Sequence, residues 1–474
     1  MKIPSTGMAP EAIMATLRSF KSHDMDWQSG RVFAYVYQPD ETTATVVKDA
    51  YTLYLSENCL DPTTFPSTAK LESDVVRMVA GLMQGDEHVV GNVTSGGTES
   101  ILLAVKTARD WARVHRPHIT QPEMVLACTA HAAFHKAGHY LGVRPVIVEF
   151  DPATFAADVA AMRAAITENT ILLVASAPCY SQGVVDPVPA IAELAREHGA
   201  LCHVDACVGG IYLAFLRASG DPVPPFDFSV PGVTSLSVDM HKYGYSAKGA
   251  SVVLYRDRDL RRYQIFASTD TTGYTLINPT ALSSRSAGPI AGAWAILHHL
   301  GESGYREIVA TVQAATRRLI DGINALDDLY VLGRPVMSMF SFASNAINVF
   351  QLADVLRRRG WYLQPQFSKS RAPRNLHVSV TYGVAHNVDA LLADLADCVE
   401  EVRRMPPIDP QFVRSVVDTL VENPSPEVVA GLLTAVGMQP GVLPQEMALI
   451  NEILDALPDA VANAIIIEFF NNLS

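Results

Sequence analysis

The feature that most constrains the fold is a series of short apolar strands, most of them separated by helices or glycine turns, that begins near residue 89. Strand-like runs are predicted at residues 89–93, 124–129, 145–150, 170–175, 201–204, 234–238 and 251–255. Helical segments such as residues 99–114 and 189–198 lie between them. Apolar strands that alternate with helices are typical of a mostly parallel sheet covered on both faces. The series therefore predicts a large α/β domain.

The chain of 474 residues is long enough for further units beside this domain. Residues 1–50 are too few to bury a core, so we expect them to pack on the body or on a second subunit. Residues 51–304 are predicted to form the large domain, and residues 305–404 a smaller α+β domain with an extended piece at 346–350. Residues 405–474 are predicted to be a helical tail. Its apolar run AIIIEFF predicts docking, because such a stripe exposed to water promotes aggregation.

Charge and composition exclude several classes of partner. The net charge of −13 argues against nucleic acid and anionic membrane surfaces, which require a basic face. No apolar run reaches the roughly 18–20 residues that span a bilayer, and the first residues do not resemble a signal peptide. The six cysteines are scattered, without a C-x-x-C pair. We therefore expect a soluble, cytoplasmic protein of a reducing compartment.

Two of the predicted strands end at motifs that fit a cofactor. In the segment TSGGTES, glycines at 96 and 97 would let the backbone approach a phosphate at the start of a helix, although an ordinary strand-to-helix turn is the alternative. In HVDACVGG, Asp205 ends an apolar strand, where a carboxylate is costly unless paired. A pyridinium nitrogen would be a suitable partner. The alternatives are that Asp205 binds a metal ion or caps the N-terminus of a helix.

Histidines at 131, 135 and 139 are spaced like metal ligands on one helix face. Zinc sites also need carboxylate or thiolate companions at ligand spacing, and none stands out nearby, so we predict no metal. His131 comes directly after a predicted strand and could place its imidazole over an aromatic ring. His135 and His139 are expected to be ordinary helix residues.

The segment SVDMHKYGYSAKG follows an apolar, β-branched run and contains Lys242 and Lys248. A lysine directly after a strand, in a loop bounded by glycines, is a place where a Schiff base to a carbonyl cofactor can form. A solvated surface loop is the alternative, since most lysines are exposed.

The order of these motifs (glycine–threonine turn, histidine, strand-end aspartate, lysine) is that of fold-type-I pyridoxal phosphate enzymes. The amino-acid sequences of these segments resemble more closely those of the sphingosine-1-phosphate lyases, which are related to the group II decarboxylases. The similar segments are TSGGTESILLAVKTARDWA, AHAAFHKAGHYLG, SAPCYSQGVVDPVPAIAELA, HVDACVGGIYLAFL, PFDFSVPGVTSLSVDMHKYGYSAKGASVVLYRD and, more loosely, ENCLDPTTFPS. The likeness runs from about residue 29 to about residue 404.

The resemblance implies pyridoxal 5′-phosphate as cofactor and a homodimer with shared active sites. Lys242 would form the imine link to the cofactor, Asp205 would pair with its ring nitrogen, and His131 would stack on its ring. The groups implied to hold the cofactor phosphate are Gly96, Gly97, Thr98, His241 and, from the second subunit, Ser284. The groups implied to face the substrate are Tyr37, Asp61, Tyr180, Lys248 and Tyr382.

The implied reaction is a retro-aldol cleavage of a phosphorylated long-chain amino alcohol to a fatty aldehyde and phosphoethanolamine. Lys248 or a tyrosine such as Tyr180 would move the proton, and the sequence does not distinguish between them. Two departures weaken the substrate assignment: Asp61 stands where the family has a histidine, and Leu276 lies in a segment that departs from the family's G-G-x-Y-x-S-P-T. An amino-acid decarboxylase is the alternative, and a catalytically silent cofactor-binding protein a remote one.

Overall fold

The structure, a computed structural model, describes residues 2–270, 272–422 and 446–471. Residues 423–445 and 472–474 of the predicted tail lie outside these ranges, as does the side chain of residue 469 in the apolar run. Within the described ranges, no helix combines the length and the apolar character needed to cross a membrane.

Seven strands build the central sheet. They are β1 (Val90–Thr94), β2 (Glu123–Ala127), β3 (Arg144–Val148), β4 (Thr170–Ser176), β5 (Leu201–Asp205), β6 (Ser235–Asp239) and β7 (Ser251–Tyr255). Their order across the sheet is β1-β7-β6-β5-β4-β2-β3. Only β7 runs antiparallel to its neighbours. Strands β2, β4, β5, β6 and β7 are buried along their whole length, which explains their continuous apolar runs.

Helices precede and cover this sheet. They are α1 (Pro10–Lys21), α2 (Glu41–Leu53), α3 (Pro66–Leu82), α4 (Gly97–His115), α5 (Ala133–Leu141), α6 (Val159–Ala165), α7 (Val188–Glu197), α8 (Gly210–Ala218), α9 (Arg258–Arg261) and α10 (Gly288–Asn324). A short hairpin of β8 (Phe266–Ser268) and β9 (Leu276–Asn278) lies outside the main sheet. Helix α10 is interrupted at Gly301, whose φ of 55° and ψ of −171° are not helical.

A second, four-stranded antiparallel sheet follows α10. Its strands are β10 (Leu329–Val331), β11 (Met339–Ser344), β12 (Gln364–Gln366) and β13 (Asn375–Ser379), in the order β10-β11-β13-β12. Its helices are α11 (Val349–Arg358), α12 (Tyr382–Ala385) and α13 (Val388–Arg404). The predicted fold class, a mostly parallel sheet covered by helices with a smaller α+β part, is confirmed.

The extended piece predicted at residues 346–350 is wrong. The side chain of Asn348 accepts hydrogen bonds from the backbone N–H groups of Phe350 at 2.9 Å and Gln351 at 3.1 Å. Asparagine is favoured in this capping position, so α11 begins at Val349 and overrides the β-branched pattern.

The described part of the tail contains α14 (Pro410–Glu422), α15 (Ala448–Ala456) and α16 (Asp459–Asn471). These helices share a small core of their own, which includes Val416, Leu420 and Ile453. Asp354 of α11 accepts hydrogen bonds from the backbone N–H groups at the start of α15, at 2.8–3.0 Å, and so joins the tail to the small sheet. The domain boundaries at residues 50, 304 and 404 stay predictions.

Candidate active site

One cavity of about 440 Å³ lies at the edge of the central sheet where the parallel strands end. Because the carboxyl ends of parallel strands meet at one edge, residues far apart in sequence come together there. Its lining includes most of the predicted site: Gly96, Gly97, Thr98, His131, Tyr180, Asp205, His241, Lys242 and Lys248. It also includes Asp239 and Cys207, to which the sequence analysis gave no role.

The glycine turn after β1 is held close to the floor of this cavity. A Cβ on Gly97 would lie 2.7 Å from the Sγ of Cys207 and 3.0 Å from each carboxylate oxygen of Asp239. Only glycine allows this approach. The buried side chain of Glu99 accepts a hydrogen bond from the N–H of Ser95 at 2.6 Å and another from the N–H of Ala281 at 2.7 Å. Glu99 thereby fixes the turn at the start of α4.

Asp205 is the last residue of β5, and its carboxylate accepts hydrogen bonds from neutral donors. Its Oδ1 accepts from the N–H of Cys207 at 3.0 Å and from the hydroxyl of Ser237 at 3.4 Å. Behind it, His203 lies 3.2 Å from the Ser237 hydroxyl and 2.8 Å from that of Ser235. Burial lowers the pKa of His203 to about 4, so this histidine is neutral at pH 7. Among the described residues, no cation pairs with Asp205.

Asp239 ends β6 and has a cationic partner instead. Its Oδ2 lies 2.9 Å from the Nζ of Lys242 and 3.6 Å from the Nε2 of His241. Burial would lower the pKa of Lys242, but the charge of Asp239 outweighs this effect and raises the pKa above its usual value. Correspondingly, the pKa of Asp239 is lowered, because the charge of Lys242 overcomes the cost of burial. The two groups form a buried ion pair.

The two predicted cofactor histidines differ in environment. His131 is exposed, and its Nδ1 accepts a hydrogen bond from the N–H of Ala133 at 3.1 Å. His241 is largely buried, and its Nδ1 has no hydrogen-bond partner among the residues that the structure describes. Burial lowers the pKa of His241, with the charge of Asp239 opposing this in part. A buried, unpaired nitrogen beside the glycine turn is a site that a ligand can satisfy.

Lys248 and Tyr180 form the other wall of the cavity. The Nζ of Lys248 donates to the carbonyl of His241 at 3.1 Å and lies 4.9 Å from the ring centre of Tyr37. Partial burial and the nearby charge of Lys242 lower the pKa of Lys248. The hydroxyl of Tyr180 donates to the Oε1 of Gln364 at 2.7 Å, and its ring stacks on His377 at 4.3 Å. Burial raises the pKa of Tyr180, so its hydroxyl keeps its proton.

Four predicted residues do not line the cavity. Tyr37 lies beside Lys248, which lines the cavity. The backbone N–H of Tyr382 donates a hydrogen bond to the hydroxyl of Tyr245 at 3.2 Å. Ser284 is exposed and lies 3.3 Å from the amide nitrogen of Asn58. The carboxylate of Asp61 accepts the N–H and the hydroxyl of Thr63, at 2.8 and 2.6 Å, within its own turn. Their roles stay predictions.

No group of three or more potential metal ligands is found among the described residues. His131 precedes α5, whereas His135 and His139 lie on it, and all three side chains are exposed.

Sequence reasoning missed Asp239, although its signal is the one that identified Asp205. Strand β5 reads LCHVD and strand β6 reads SLSVD, so both end a buried apolar run with a carboxylate. Gln364 and His377 could not be found in this way. They reach Tyr180 from the second sheet, and no local pattern signals that contact.

Comparison with known proteins agrees with this geometry. Residues 11–344 match the model of the pyridoxal-dependent decarboxylase conserved domain, and residues 408–472 match that of a C-terminal putative HTH domain of pyridoxal-dependent enzymes. A sphingosine-1-phosphate lyase of rice is 38% identical over 413 residues, which cover 85% of this chain and 75% of the relative. A probable L-aspartate decarboxylase of Pyrococcus furiosus is 32% identical over 76% of this chain and 94% of the relative.

The solved structure of a Burkholderia pseudomallei sphingosine-1-phosphate lyase superposes with a TM-score of 0.82 at 34% identity. The superposition covers 89% of this chain and 96% of that one. The fold, the order of the site segments and the sequence likeness therefore agree. The chain belongs to the pyridoxal-dependent decarboxylase family, among the relatives that bear the name sphingosine-1-phosphate lyase.

Proposed function

We propose that this protein is a pyridoxal phosphate-dependent carbon–carbon lyase. Its substrate would be a phosphorylated long-chain amino alcohol such as sphingosine 1-phosphate, and its products a fatty aldehyde and phosphoethanolamine. The observation that carries the proposal is the cavity in which a lysine, a strand-end carboxylate with neutral partners only, and a glycine-bounded helix start face one another. The sequence likeness to the named lyases supports the choice of substrate.

The residues of the cavity fit the cofactor. The phosphate would be held by Gly96, Gly97 and Thr98 at the start of α4 and by the unpaired Nδ1 of His241. Asp205 would pair with the ring nitrogen, and His131 would lie against the ring. When bound, the cofactor would supply an electron sink for the bond that breaks at the amino-bearing carbon.

Cleavage of the C2–C3 bond requires that a proton leave the hydroxyl on C3 and that a proton reach C2. Lys248 is the better base of the two candidates, because its lowered pKa provides more of the neutral amine. Tyr180 keeps its proton, and its hydroxyl donates a hydrogen bond to the side chain of Gln364. We assign proton transfer to Lys248 and orientation of the substrate to Tyr180.

We further propose a homodimer in which the partner completes each site. None of the residues of α1 is buried, and its apolar side chains Ile13, Met14, Leu17 and Phe20 are exposed. Ser284 is exposed close to further exposed apolar side chains, Ile277 and Leu282. Such surfaces in an otherwise folded chain indicate an interface.

Light scattering is expected to give twice the chain mass of 51.3 kDa. Leu17→Glu on the apolar face of α1 should shift the protein toward monomer, whereas Arg18→Glu on the same helix should not. A fully active monomer would contradict the shared site.

The product assay tests the function. Purified enzyme loaded with cofactor and given sphingosine 1-phosphate should release phosphoethanolamine and a long-chain aldehyde in equal amounts. The Lys242→Ala variant, which lacks the amine that binds the cofactor, should release neither. Release of carbon dioxide from an amino acid, with no aldehyde from sphingosine 1-phosphate, would establish the decarboxylase instead.

A further inference from the structure

Asp239 lies beside three of the residues that would hold the cofactor, Gly97, His241 and Lys242. Its side chain is only 1% exposed, and its Oδ2 lies between Lys242 Nζ at 2.9 Å and His241 Nε2 at 3.6 Å. Its Oδ1 is buried and has no hydrogen-bond partner among the described residues. An unpartnered oxygen on a buried carboxylate costs free energy, so its presence in a folded protein requires an explanation.

The surroundings of Asp239 prevent it from moving away. Gly97, the first residue of α4, packs against both carboxylate oxygens, since a Cβ there would lie 3.0 Å from each. The backbone N–H of Asp239 donates to the carbonyl of Cys207 at 3.1 Å, which anchors it to the turn after β5. The carboxylate is therefore fixed, whereas the lysine side chain is 22% exposed and lines the cavity.

We propose that Asp239 is a positioning residue that holds Lys242 as a buried ammonium ion and so controls when the lysine becomes a nucleophile. This inference rests on the proposed function, in which Lys242 binds the cofactor. Leaving the ion pair and losing a proton to solvent are then the first events that Lys242 must undergo. After Lys242 is released, His241 remains as the charged or polar partner of Asp239.

Other groups around Lys242 do not replace Asp239. The titratable or charged groups that face it come from its own loop, the turns after β4 and β5, and the N-terminal segment: His241, Lys248, Tyr180, Cys207 and Tyr37. Burial raises the pKa of Cys207 and of Tyr37, so both remain neutral. Lys248 repels Lys242, and burial opposes a charged lysine, so Asp239 alone favours the ammonium form.

The experiment measures the reactivity of Lys242 in the full chain freed of cofactor. Acetic anhydride is applied at pH 8 in competition with a free amine, and acetylation of Lys242 is quantified by peptide mass spectrometry. Asp239→Asn removes the charge with little change in shape. We expect Lys242 in this variant to react at least about tenfold faster than in the wild type, because each unit by which the pKa falls raises the amine fraction tenfold.

Asp205→Asn is the matched control, because Asp205 is a strand-end carboxylate of the same cavity that does not contact Lys242. It should change the labelling rate less than about twofold, well under the tenfold that one pKa unit gives. Asp239→Glu, which keeps the charge, should restore slow labelling. Equal rates in folded wild type and Asp239→Asn would overturn the proposal, and so would equal acceleration by Asp205→Asn.

If Asp239→Asn does not fold, the wild type provides the test. The labelling rate of Lys242 should still be rising with pH at pH 10.5, the usual lysine pKa, because the charge of Asp239 keeps the amine protonated there. A labelling rate for Lys242 that levels off below pH 10.5 would overturn the proposal. Neither readout involves substrate or products, so a failure here is distinct from a failure of the product assay.

Discussion

Two neighbouring parallel strands, β5 and β6, each end in a buried aspartate that lines the same cavity, yet the two carboxylates have different partners. Asp205 receives hydrogen bonds from a backbone N–H and a serine hydroxyl. Asp239 forms an ion pair with Lys242 at 2.9 Å. Position at the strand end thus does not determine the role of the carboxylate. The residues that follow and support each strand determine it.

The difference explains which aspartate is available to a ligand. His203 is neutral and lies in a chain of hydrogen bonds that ends at Asp205. These hydrogen bonds orient the carboxylate of Asp205 without providing it with a positive charge. Asp239 is already paired within the protein. A cationic ring nitrogen would therefore find its counter-charge at Asp205, and the lysine that must react would be held at Asp239.

The largest expected effect on kcat comes from Lys248. Unlike Lys242, it has no carboxylate partner among the residues that the structure describes. Lys248→Gln removes the proposed base and should lower kcat about 10²–10⁴-fold. Lys248→Arg keeps the positive charge but cannot give up its proton, so it should lower kcat similarly with a smaller change in KM. In the wild type, kcat should rise with pH through a pKa below 10.5. An Arg variant with normal kcat would show that Lys248 binds substrate only.

Next in size is the loss of the unpaired carboxylate. Asp205→Asn should lower kcat about 10²–10³-fold, the usual cost of removing one charge-stabilising group from an active site. It should leave the reactivity of Lys242 in the cofactor-free protein nearly unchanged. Steady-state kinetics at saturating cofactor measure the first effect. Loss of cofactor binding to Asp239→Asn with normal binding to Asp205→Asn would reverse the assignment of the two residues.

Acid should destabilise the fold through two buried histidines, His203 behind Asp205 and His377 against Tyr180. Burial lowers the pKa of His203 and of His377 to about 4, below the ordinary 6.5. Their contribution to stability is therefore complete above pH 6.5 and is lost as the pH falls toward 4, by up to about 3 kcal/mol for each histidine.

Thermal unfolding between pH 7.5 and 4.5 checks this prediction. The wild type should lose stability steeply below pH 6.5, and His203→Gln, which has no ionisable group there, should lose less over the same interval. An unchanged slope in the variant would show that the pKa of His203 is the same in the folded and the unfolded protein.

The smallest effect is expected from the hydroxyl that connects His203 to Asp205. Ser237→Ala removes one hydrogen bond from the carboxylate, which is worth about 1 kcal/mol, so kcat should fall about fivefold to tenfold. Ser246→Ala is the control, since that hydroxyl is buried nearby without a hydrogen-bond partner among the described residues. Equal effects of both variants would argue against a specific chain of hydrogen bonds.

The main sheet and most of the cavity lining could be predicted, because each strand is a local apolar run and each site residue follows one. Asp239 was missed although LCHVD and SLSVD carry the same signal. The three-residue strands β8, β9 and β12 are too short for a periodic pattern. The contact of Gln364 with Tyr180 joins residues separated by 184 positions and depends on how the second sheet packs.

The assignment of the two aspartates is tested most directly by the protonation state of the cofactor's ring nitrogen. Enzyme loaded with pyridoxal phosphate labelled with ¹⁵N in the ring can be examined by NMR in the wild type, Asp205→Asn and Asp239→Asn. We expect a protonated nitrogen in the wild type and in Asp239→Asn, and an unprotonated one in Asp205→Asn. A nitrogen that stays protonated in Asp205→Asn, or loses its proton in Asp239→Asn, would contradict this assignment.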